Sequence, residues 1–236
     1  MAGVINAPGA EGFEAGNVAG TVAMLEAAKA GGVRRFVHVS SLAAREPHLS
    51  MYGASKARSE VRVNASDLPH AIVRPPAVYG PGDRETLELF RMARRGIVLL
   101  PPRGRISVIH ADDLAALLLA LAAPDAPSGL TVEPDDGHAG GYSHEEFAQA
   151  LGRATGNDKP LTLHAPAAVM GAAAFLDRLV RGKEAKLTPD RAAYFSHPDW
   201  VASRERSVSP TLWKARIDTA EGLAATARWY AEQGWL

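Results

Sequence analysis

The sequence predicts an α/β fold, in which a parallel sheet with its helices is followed by a smaller helical part. Two observations lead to this prediction. In the first 135 residues, short apolar runs alternate with longer segments of helical spacing, which is typical of a parallel sheet. From residue 160 onwards, helical segments are separated by proline and polar stretches. We therefore expect residues 1–135 to form the sheet domain and residues 136–236 a mainly helical lobe, with approximate and interleaved boundaries.

The first predicted elements are a helix, a strand and a second helix. Residues 11–30 place apolar side chains near helical spacing, and Gly31 and Gly32 close the segment. Residues 35–40 form an apolar run that ends in two serines, which indicates a buried strand. Residues 50–65 then continue as a helix, so the alternation begins at once.

The alternation continues to residue 133. Residues 71–75 are another apolar run, which two prolines end. A loop leads to a helix over residues 85–95, and a short strand is predicted over residues 106–110. Two aspartates then open a helix over residues 114–123, because carboxylates suit the unpaired N–H groups of a helix N-terminus. Residues 130–133 complete the predicted strands.

The smaller lobe begins with a helix near residues 143–155. Ser143 and Glu146 have the three-residue spacing of a capping box, in which each side chain bonds the backbone N–H of the other residue. Further helices are predicted over residues 166–181, 189–195 and 219–232.

Composition excludes several classes of function. Lys+Arg and Asp+Glu balance at 26 each, so net charge points to neither nucleic acid nor a membrane as partner. The absence of cysteine excludes disulfides and thiolate catalysis, and the eight histidines show no metal-like clustering, so we expect no metal. No apolar run reaches the ~18 residues of a membrane span, and no signal peptide is visible. We expect a cytoplasmic protein.

Three side chains around the first strand form a candidate catalytic group. Tyr52 and Lys56 are four residues apart on a predicted helix, which places a phenol and an ammonium on one face. Ser41 adds a hydroxyl at the end of the preceding strand. Such a group suits proton transfer to or from a carbonyl or an alcohol. The alternative is a packing tyrosine, a solvated lysine and a plain strand end.

Four segments, in this order, resemble the extended short-chain dehydrogenase/reductase family. They are Asn17-Val-Ala-Gly-Thr21, the Tyr52-x-x-x-Lys56 pair after Ser40-Ser41, Arg74-Pro-Pro-Ala-Val-Tyr-Gly-Pro-Gly82 and Ile109-His-Ala-Asp-Asp-Leu-Ala115. The resemblance covers about residues 1–155 and implies a partial Rossmann-like, doubly wound parallel sheet. It also implies an NAD(P)-dependent oxidoreductase or epimerase that transfers a hydride at a carbonyl or alcohol of a small molecule.

The resemblance implies a role for each matched residue. Tyr52 is the implied acid/base, Lys56 the group that favours its phenolate and binds the cofactor ribose, and Ser41 the ligand of the substrate oxygen. Asn17 is implied to order the active-site water and the lysine. Further cofactor contacts are implied for Gly3, Ser40, Pro76, Ala77 and Val78. Substrate contacts are implied for Asp83 and Arg84. We interpret Asp112 and Asp113 as a helix cap and loop fastener, and His110 as a core histidine.

The glycine-rich turn of that family is missing from this sequence. No such turn follows a predicted strand, and no residue that selects NAD over NADP is found. Met1-Ala-Gly3 instead resembles the end of the family's fourth strand, so we expect a truncated chain with weakened binding of NAD or NADP. The strand over residues 35–40 is then expected at a sheet edge, where unpaired backbone can recruit another chain, for example a second copy in a homodimer. A non-catalytic binding or assembly subunit is the alternative function.

Overall fold

The fold is a parallel sheet with helices on both faces, joined to a lobe of helices and short strands. The computed structural model describes residues 3–7, 9–166, 168–169, 171–172 and 188–236. Met1, Ala2 and most of the helix predicted over residues 166–181 lie outside the described residues.

The helices of the described residues are numbered α1 to α7 in chain order. Helix α1 is made of three consecutive segments, which are α-helical Ala10–Phe13, π-helical Glu14–Ala19 and α-helical Gly20–Ala30. The others are α2 (Met51–Asn64), α3 (Leu87–Arg94), α4 (Ala111–Ala122), α5 (His144–Ala154), α6 (Pro189–Ser196) and α7 (Thr219–Glu232). Short 3-10 turns lie at Leu42–Arg45 and Arg204–Arg206.

The strands are short and mostly parallel. In chain order they are β1 (Phe36–Val39), β2 (His70–Val73), β3 (Ala77–Tyr79), β4 (Ile97–Leu100), β5 (Arg105–Ile106), β6 (Val108–His110), β7 (Leu130–Val132), β8 (Tyr142–Ser143), β9 (Leu161–His164) and β10 (Asp199–Trp200). The main sheet has the order β1-β2-β7, with both pairs parallel. Among the described residues β1 pairs on one side, with β2, so it lies at an edge of this sheet.

The two faces of β2 bury different helices. Successive side chains of a strand point to opposite faces. On one face Ile72 packs with Leu25 of α1 and Val63 of α2. On the other face Ala71 and Val73 pack into a cluster that also contains Leu117 and Leu121 of α4. Helices therefore cover both faces of the sheet, and the predicted α/β class with a parallel sheet and a helical C-terminal part is confirmed.

The predicted strand over residues 106–110 divides into two strands that join different sheets. β6 pairs with β3, whereas β5 pairs with β8 and β10. Ser107 lies at the division, and its N–H donates to the carbonyl of Trp200 (3.0 Å). Because β4 likewise pairs with β9, strands from before residue 135 pair with strands from after it. The division into domains at residue 135 stays a prediction.

Candidate active site

Helix α2 carries the tyrosine and the lysine of the predicted catalytic group. It begins after Ser50, whose hydroxyl accepts a hydrogen bond from the N–H of Gly53 (2.9 Å). Tyr52 follows in the first turn and is half-buried. Lys56 is 6% exposed, and its ammonium donates to the carbonyl of Val39 at the end of β1 (2.7 Å). This bond ties the helix to the carboxyl end of the sheet, so the pair lies where ligands of open α/β sheets bind.

Ser41 lies beside the Tyr52 phenol. It begins the 3-10 turn after β1, and its hydroxyl accepts from the N–H of Ala43 (3.2 Å). Burial raises the pKa of Tyr52, and a hydrogen bond with Ser41 opposes that shift. The ring of Phe13 from α1 lies 6.2 Å from the Tyr52 ring. The phenol is therefore held in its protonated form, ready to donate.

The environment of Lys56 lowers the pKa of its ammonium group. Burial lowers the pKa of Lys56 to about 8, and the carboxylate of Glu60 opposes the shift. The neighbouring His38 of β1 bonds Ser59 through its ring (3.0 Å). Burial, with the charge of Lys56 added, lowers the pKa of His38 to about 3, so this histidine is neutral. Near neutral pH the charge beside Tyr52 therefore belongs to Lys56.

A buried network of charges, absent from the sequence-based prediction, lies behind the catalytic group. Glu60 accepts from Ser40 (2.5 Å) and forms a two-pronged ion pair with Arg74 (2.9 and 2.6 Å). Arg74 also bonds Glu133 (3.3 Å), and Glu133 pairs with Arg45 of the 3-10 turn (3.4 Å). The side chain of Glu60 is 7% exposed and that of Glu133 is fully buried.

This network gathers at the carboxyl edge of the main sheet. Ser40, Arg74 and Glu133 each directly follow β1, β2 or β7. The sequence pattern that could have indicated Glu60 is the four-residue spacing on α2, because Tyr52, Lys56 and Glu60 follow one another along one helix face. The Ser40 hydroxyl points to a carboxylate, so the cofactor contact predicted for Ser40 stays a prediction with a competing partner.

Asn17 lies in the π-helical segment of α1 and fastens two other parts of the chain. Its amide accepts from the N–H of Val4 (2.8 Å) and donates to the Val4 carbonyl (2.9 Å). It also donates to the hydroxyl of Ser55 on α2 (2.8 Å). Gly3 lies next to it. π-helical turns are frequent at functional sites. Asn17 thus holds Ser55, the residue before Lys56 on α2. The predicted contact of Asn17 with an ordered water stays a prediction.

The remaining predicted residues lie on β3 and in the loop after it. Pro76 and Val78 are half-buried and Ala77 is exposed, and the cofactor contacts predicted for these three residues stay predictions. The Asp83 carboxylate accepts from the N–H groups of Glu85 (2.8 Å) and Thr86 (3.0 Å). The guanidinium of Arg84 lies 4.8 Å from the centre of the Trp235 ring. Both side chains therefore already have partners within the chain. The substrate contacts predicted for Asp83 and Arg84 stay predictions.

An aromatic wall from the C-terminal lobe lies beside Tyr52. Asp190 of α6 accepts from the N–H of Met51 (2.6 Å), which attaches α6 to the first turn of α2. Burial raises the pKa of Tyr194 on α6, and Tyr52 adds to the shift. The Tyr194 ring packs on Trp200 (4.6 Å between centres), and Trp200 in turn contacts the His197 ring (4.7 Å). Tyr194, the first residue of the wall, comes 142 positions after Tyr52 in the chain, and no local pattern predicted the wall.

Two other sequence-based interpretations can be compared with the structure. The Asp113 carboxylate accepts from the N–H groups of Arg216 (3.1 Å) and Ile217 (3.0 Å), as expected for a loop fastener. His110 is buried and caps α4 by accepting from the N–H of Asp112 (3.2 Å). No group of three or more potential metal ligands occurs within the described part of the chain. Over the same residues, no helix has the length and apolar character to cross a membrane.

The donors around Tyr52 fit one half of a nicotinamide nucleotide. An ammonium has three N–H donors, and within the described residues Lys56 uses one of them, on Val39. The other donors, with the Tyr52 phenol, suit the hydroxyls of the nicotinamide ribose. The pyrophosphate half usually lies on a glycine-rich turn at a helix N-terminus, and the sequence has no such turn after a strand. The fit is therefore to the reactive half of the cofactor.

Comparisons with known proteins show the family and the fold of this chain. A family described as NAD(P)H-binding matches residues 2–123. A ceramide reductase from Caulobacter vibrioides is 38% identical over 241 residues, which cover 100% of this chain and 74% of the reductase. Among solved structures, that of gox2253 has a TM-score of 0.74 at 18% identity, covering 98% of this chain and 76% of its own. WbmG from Bordetella bronchiseptica, solved with NAD and UDP, has a TM-score of 0.69 at 18% identity, covering 100% and 71%.

Proposed function

Because the chain belongs to the NAD(P)H-binding family and has the fold of its epimerase/dehydratase-like members, we propose that it is an NAD(P)-dependent reductase of a lipid ketone. The observation that carries the proposal is the group formed by the half-buried Tyr52 and Ser41 and the buried Lys56 at the carboxyl end of β1. The 38% identity to a ceramide reductase supports a substrate of the ceramide class. This substrate carries a ketone where the product carries a secondary alcohol. The cytoplasmic location expected from the sequence remains part of the proposal.

Each side chain has a defined task in this reduction. The Ser41 hydroxyl donates to the substrate carbonyl oxygen and orients it towards Tyr52. Tyr52 gives its phenolic proton to that oxygen as a hydride adds to the carbonyl carbon, so a ketone becomes a secondary alcohol. When bound, the reduced nicotinamide supplies the hydride. Lys56 stabilises the phenolate left on Tyr52, because an opposite charge nearby favours the charged form.

The aromatic wall explains why a lipid suits this site. Tyr194 lies beside Tyr52 and packs on the buried Trp200, so this side of the site is aromatic, and apolar surface of this kind holds alkyl chains by burial rather than by polar contacts. Sugar-nucleotide substrates instead need many hydrogen-bonding partners. The wall therefore supports an apolar substrate with one reactive polar group.

The test is the replacement of Tyr52 by phenylalanine in the full chain. Oxidation of NADH and of NADPH is followed by absorbance, with a ceramide whose secondary alcohol has been oxidised to a ketone. We expect a loss of about 10²–10⁴-fold in kcat, the usual contribution of general acid catalysis, with nucleotide affinity by calorimetry nearly unchanged. The matched control is Tyr142→Phe, which removes a phenol bonded to Asp136 outside the site. Equal turnover in Tyr52→Phe and the native chain would exclude Tyr52 as the acid.

A second candidate function is that of a non-catalytic binding or assembly subunit. It is favoured by one observation, that no glycine-rich turn, the usual anchor for the pyrophosphate, follows a strand within the given sequence. Calorimetry with NADH and NADPH separates the two candidates. Micromolar binding favours the reductase, whereas no binding together with a stable complex on co-purification favours the subunit.

A further inference from the structure

Helix α6 contacts the first turn of α2 next to the candidate catalytic group. The Asp190 carboxylate accepts from the N–H of Met51 (2.6 Å), which fixes one point of contact between the two helices. Tyr194 follows Asp190 by four residues, so both side chains lie on one face of α6. Tyr52 directly follows Met51 in the chain. Burial raises the pKa of Tyr194, and the neighbouring Tyr52 adds to the shift, so the two phenols lie close together.

The Tyr194 ring is held in place from the side of the C-terminal lobe. It packs on the ring of Trp200 (4.6 Å between centres) and on that of Phe195 (5.4 Å). Trp200 is 7% exposed, and its indole N–H donates to the Tyr194 carbonyl (2.9 Å). Trp200 belongs to β10, which pairs with β5. Because the ring is ordered before a ligand arrives, a hydrogen bond from its hydroxyl costs little conformational entropy.

The hydroxyl of Tyr194 is available to a ligand. Among the described residues, this hydroxyl forms no hydrogen bond. Over the same residues, the side-chain polar atom that is both sealed from solvent and without a hydrogen bond is the Tyr79 hydroxyl. The hydroxyl of the half-buried Tyr194 therefore reaches solvent. A ligand that displaces water from such a group without replacing its hydrogen bond loses affinity, so this point of the site favours a polar group.

The group that Tyr194 recognises is neutral. Because its pKa is raised, the phenol is protonated near neutral pH, and it can donate or accept one hydrogen bond. The charged neighbours on α6 are engaged elsewhere. Asp190 holds the start of α2, and Arg191 donates to Asn6 (2.9 Å) and Glu85 (3.2 Å). A neutral phenol beside the catalytic group matches an amide or a hydroxyl, rather than a phosphate or a carboxylate.

We propose that Tyr194 is a specificity-determining residue of the reductase, and that its hydroxyl bonds the neutral polar group on the carbon next to the reacting ketone. In a ceramide-class ketone that group is an amide, whose carbonyl oxygen accepts from the phenol. The inference rests on the proposed function, because it adds a second contact with the same substrate. Ser41 and Tyr52 bind the ketone oxygen, and Tyr194 binds the neighbouring amide. Two fixed contacts on adjacent carbons orient the ketone, whereas alkyl chains alone leave it free to slide.

The first experiment compares two short-chain ketones as substrates of the full chain. One is a ceramide whose secondary alcohol has been oxidised, and the other is the same ketone with methylene groups in place of the amide. For Tyr194→Phe we expect KM to rise roughly 2- to 13-fold with the amide-bearing ketone and kcat to stay within about twofold, since one neutral hydrogen bond of uniform binding is lost. With the amide-free ketone, KM is expected to equal the native value or to fall below it. The matched control Tyr142→Phe removes a phenol bonded to Asp136 and leaves both ketones unaffected.

Three kinetic outcomes overturn the proposal. An equal rise in KM with both ketones would assign Tyr194 to the shape of the wall. A fall in kcat of about 10²-fold or more with both would assign it to proton transfer. An unchanged KM of Tyr194→Phe with the amide-bearing ketone would exclude the contact.

Calorimetry separates this proposal from the reductase proposal. Each ketone is titrated into the chain with an excess of oxidised nucleotide, which has no hydride to transfer. We expect the native chain to bind the amide-bearing ketone more tightly than the amide-free one, and Tyr194→Phe to remove this difference. Equal affinity of the native chain for the two ketones, including no binding of either, overturns the role of Tyr194 even where both are reduced. A difference that Tyr194→Phe removes supports that role, and with no turnover of either ketone by the native chain the reductase proposal alone fails.

Discussion

The buried Glu60–Arg74 pair makes a quantitative prediction about stability. Glu60→Gln keeps the size of the side chain but removes its charge. It also turns one oxygen, which accepts from Arg74 at 2.6 or 2.9 Å, into an NH₂ group that faces a donor. Breaking a buried ion pair costs about 3–5 kcal/mol. Arg74 keeps its contact with Glu133 (3.3 Å), so we expect the lower part of this range, about 3–4 kcal/mol of unfolding free energy.

The assay is thermal and urea unfolding followed by far-ultraviolet circular dichroism. For a chain of this length, 1 kcal/mol shifts the midpoint by about 2–4 °C, so Glu60→Gln is expected to lower it by roughly 6–16 °C. The chain provides a matched control in Glu14→Gln. Arg58 also binds Glu14 with two nitrogens (3.0 and 2.7 Å), but these side chains are 50% and 49% exposed. Exposed pairs contribute about 0–1 kcal/mol.

The Glu60–Arg74 and Glu14–Arg58 pairs have similar contacts and differ mainly in burial. If Glu14→Gln and Glu60→Gln lower the midpoint equally, the reasoning from burial is wrong. A double-mutant cycle of Glu60→Gln with Arg74→Met is expected to show a coupling of about 1–3 kcal/mol, as for residues of one ion-pair network. Additive effects would place the destabilisation elsewhere than in the pair.

Two further predictions concern α2, the helix that carries Tyr52 and Lys56. The pKa of Lys56 is about 8 in the folded state and 10.5 in the unfolded state. Between pH 8 and pH 10.5 the folded state therefore binds fewer protons than the unfolded state, and the free energy of unfolding rises with pH. Relative to Lys56→Met, the native chain should therefore gain about 2–3 kcal/mol from pH 7 to pH 10 in urea unfolding, and a flat difference would contradict the burial of the ammonium. Gly53→Ala normally favours a helix, but a Cβ at Gly53 would lie 2.6 Å from the Ala43 carbonyl oxygen. We expect a loss of about 1–3 kcal/mol in unfolding free energy, and a gain in stability would show that α2 can move away from the Ser41 turn.

The features that the sequence predicted well are those decided by neighbouring residues. The capping box of Ser143 and Glu146 is confirmed, with its two reciprocal bonds at 3.1 and 2.7 Å. Tyr52 and Lys56 lie on one helix because a spacing of four residues requires little beyond the helix itself. The parallel sheet followed from the alternation of apolar runs and helical segments, which is a property of chain order rather than of distant contacts.

The features that the sequence did not predict depend on contacts between distant segments. The π-helical segment of α1 is one example. A Cβ at Gly16 would lie 1.8 Å from a methyl of Val4, so Gly16 allows the N-terminal segment to cross α1 where Asn17 holds it. The division of the strand at Ser107 is another, because its hydroxyl bonds Asp135 (2.9 Å) and accepts from Ala202 (3.1 Å), both remote in sequence.

The buried charge network connects these two kinds of feature. Glu60 lies four residues after Lys56, so the helix alone places both on one face. Its ion pair, however, depends on Arg74, and through Arg74 on Glu133, which follow two strands distant in sequence. Arg45 extends the network to the C-terminal lobe, where it donates to the Val201 carbonyl (2.7 Å). Because Glu60 opposes the lowering of the Lys56 pKa, the same contacts that join the lobe to the sheet also maintain the charge beside Tyr52. Stability and the charge of Lys56 therefore depend on the same residues, and Glu60→Gln should lower the pKa of Lys56 further as well as the unfolding midpoint.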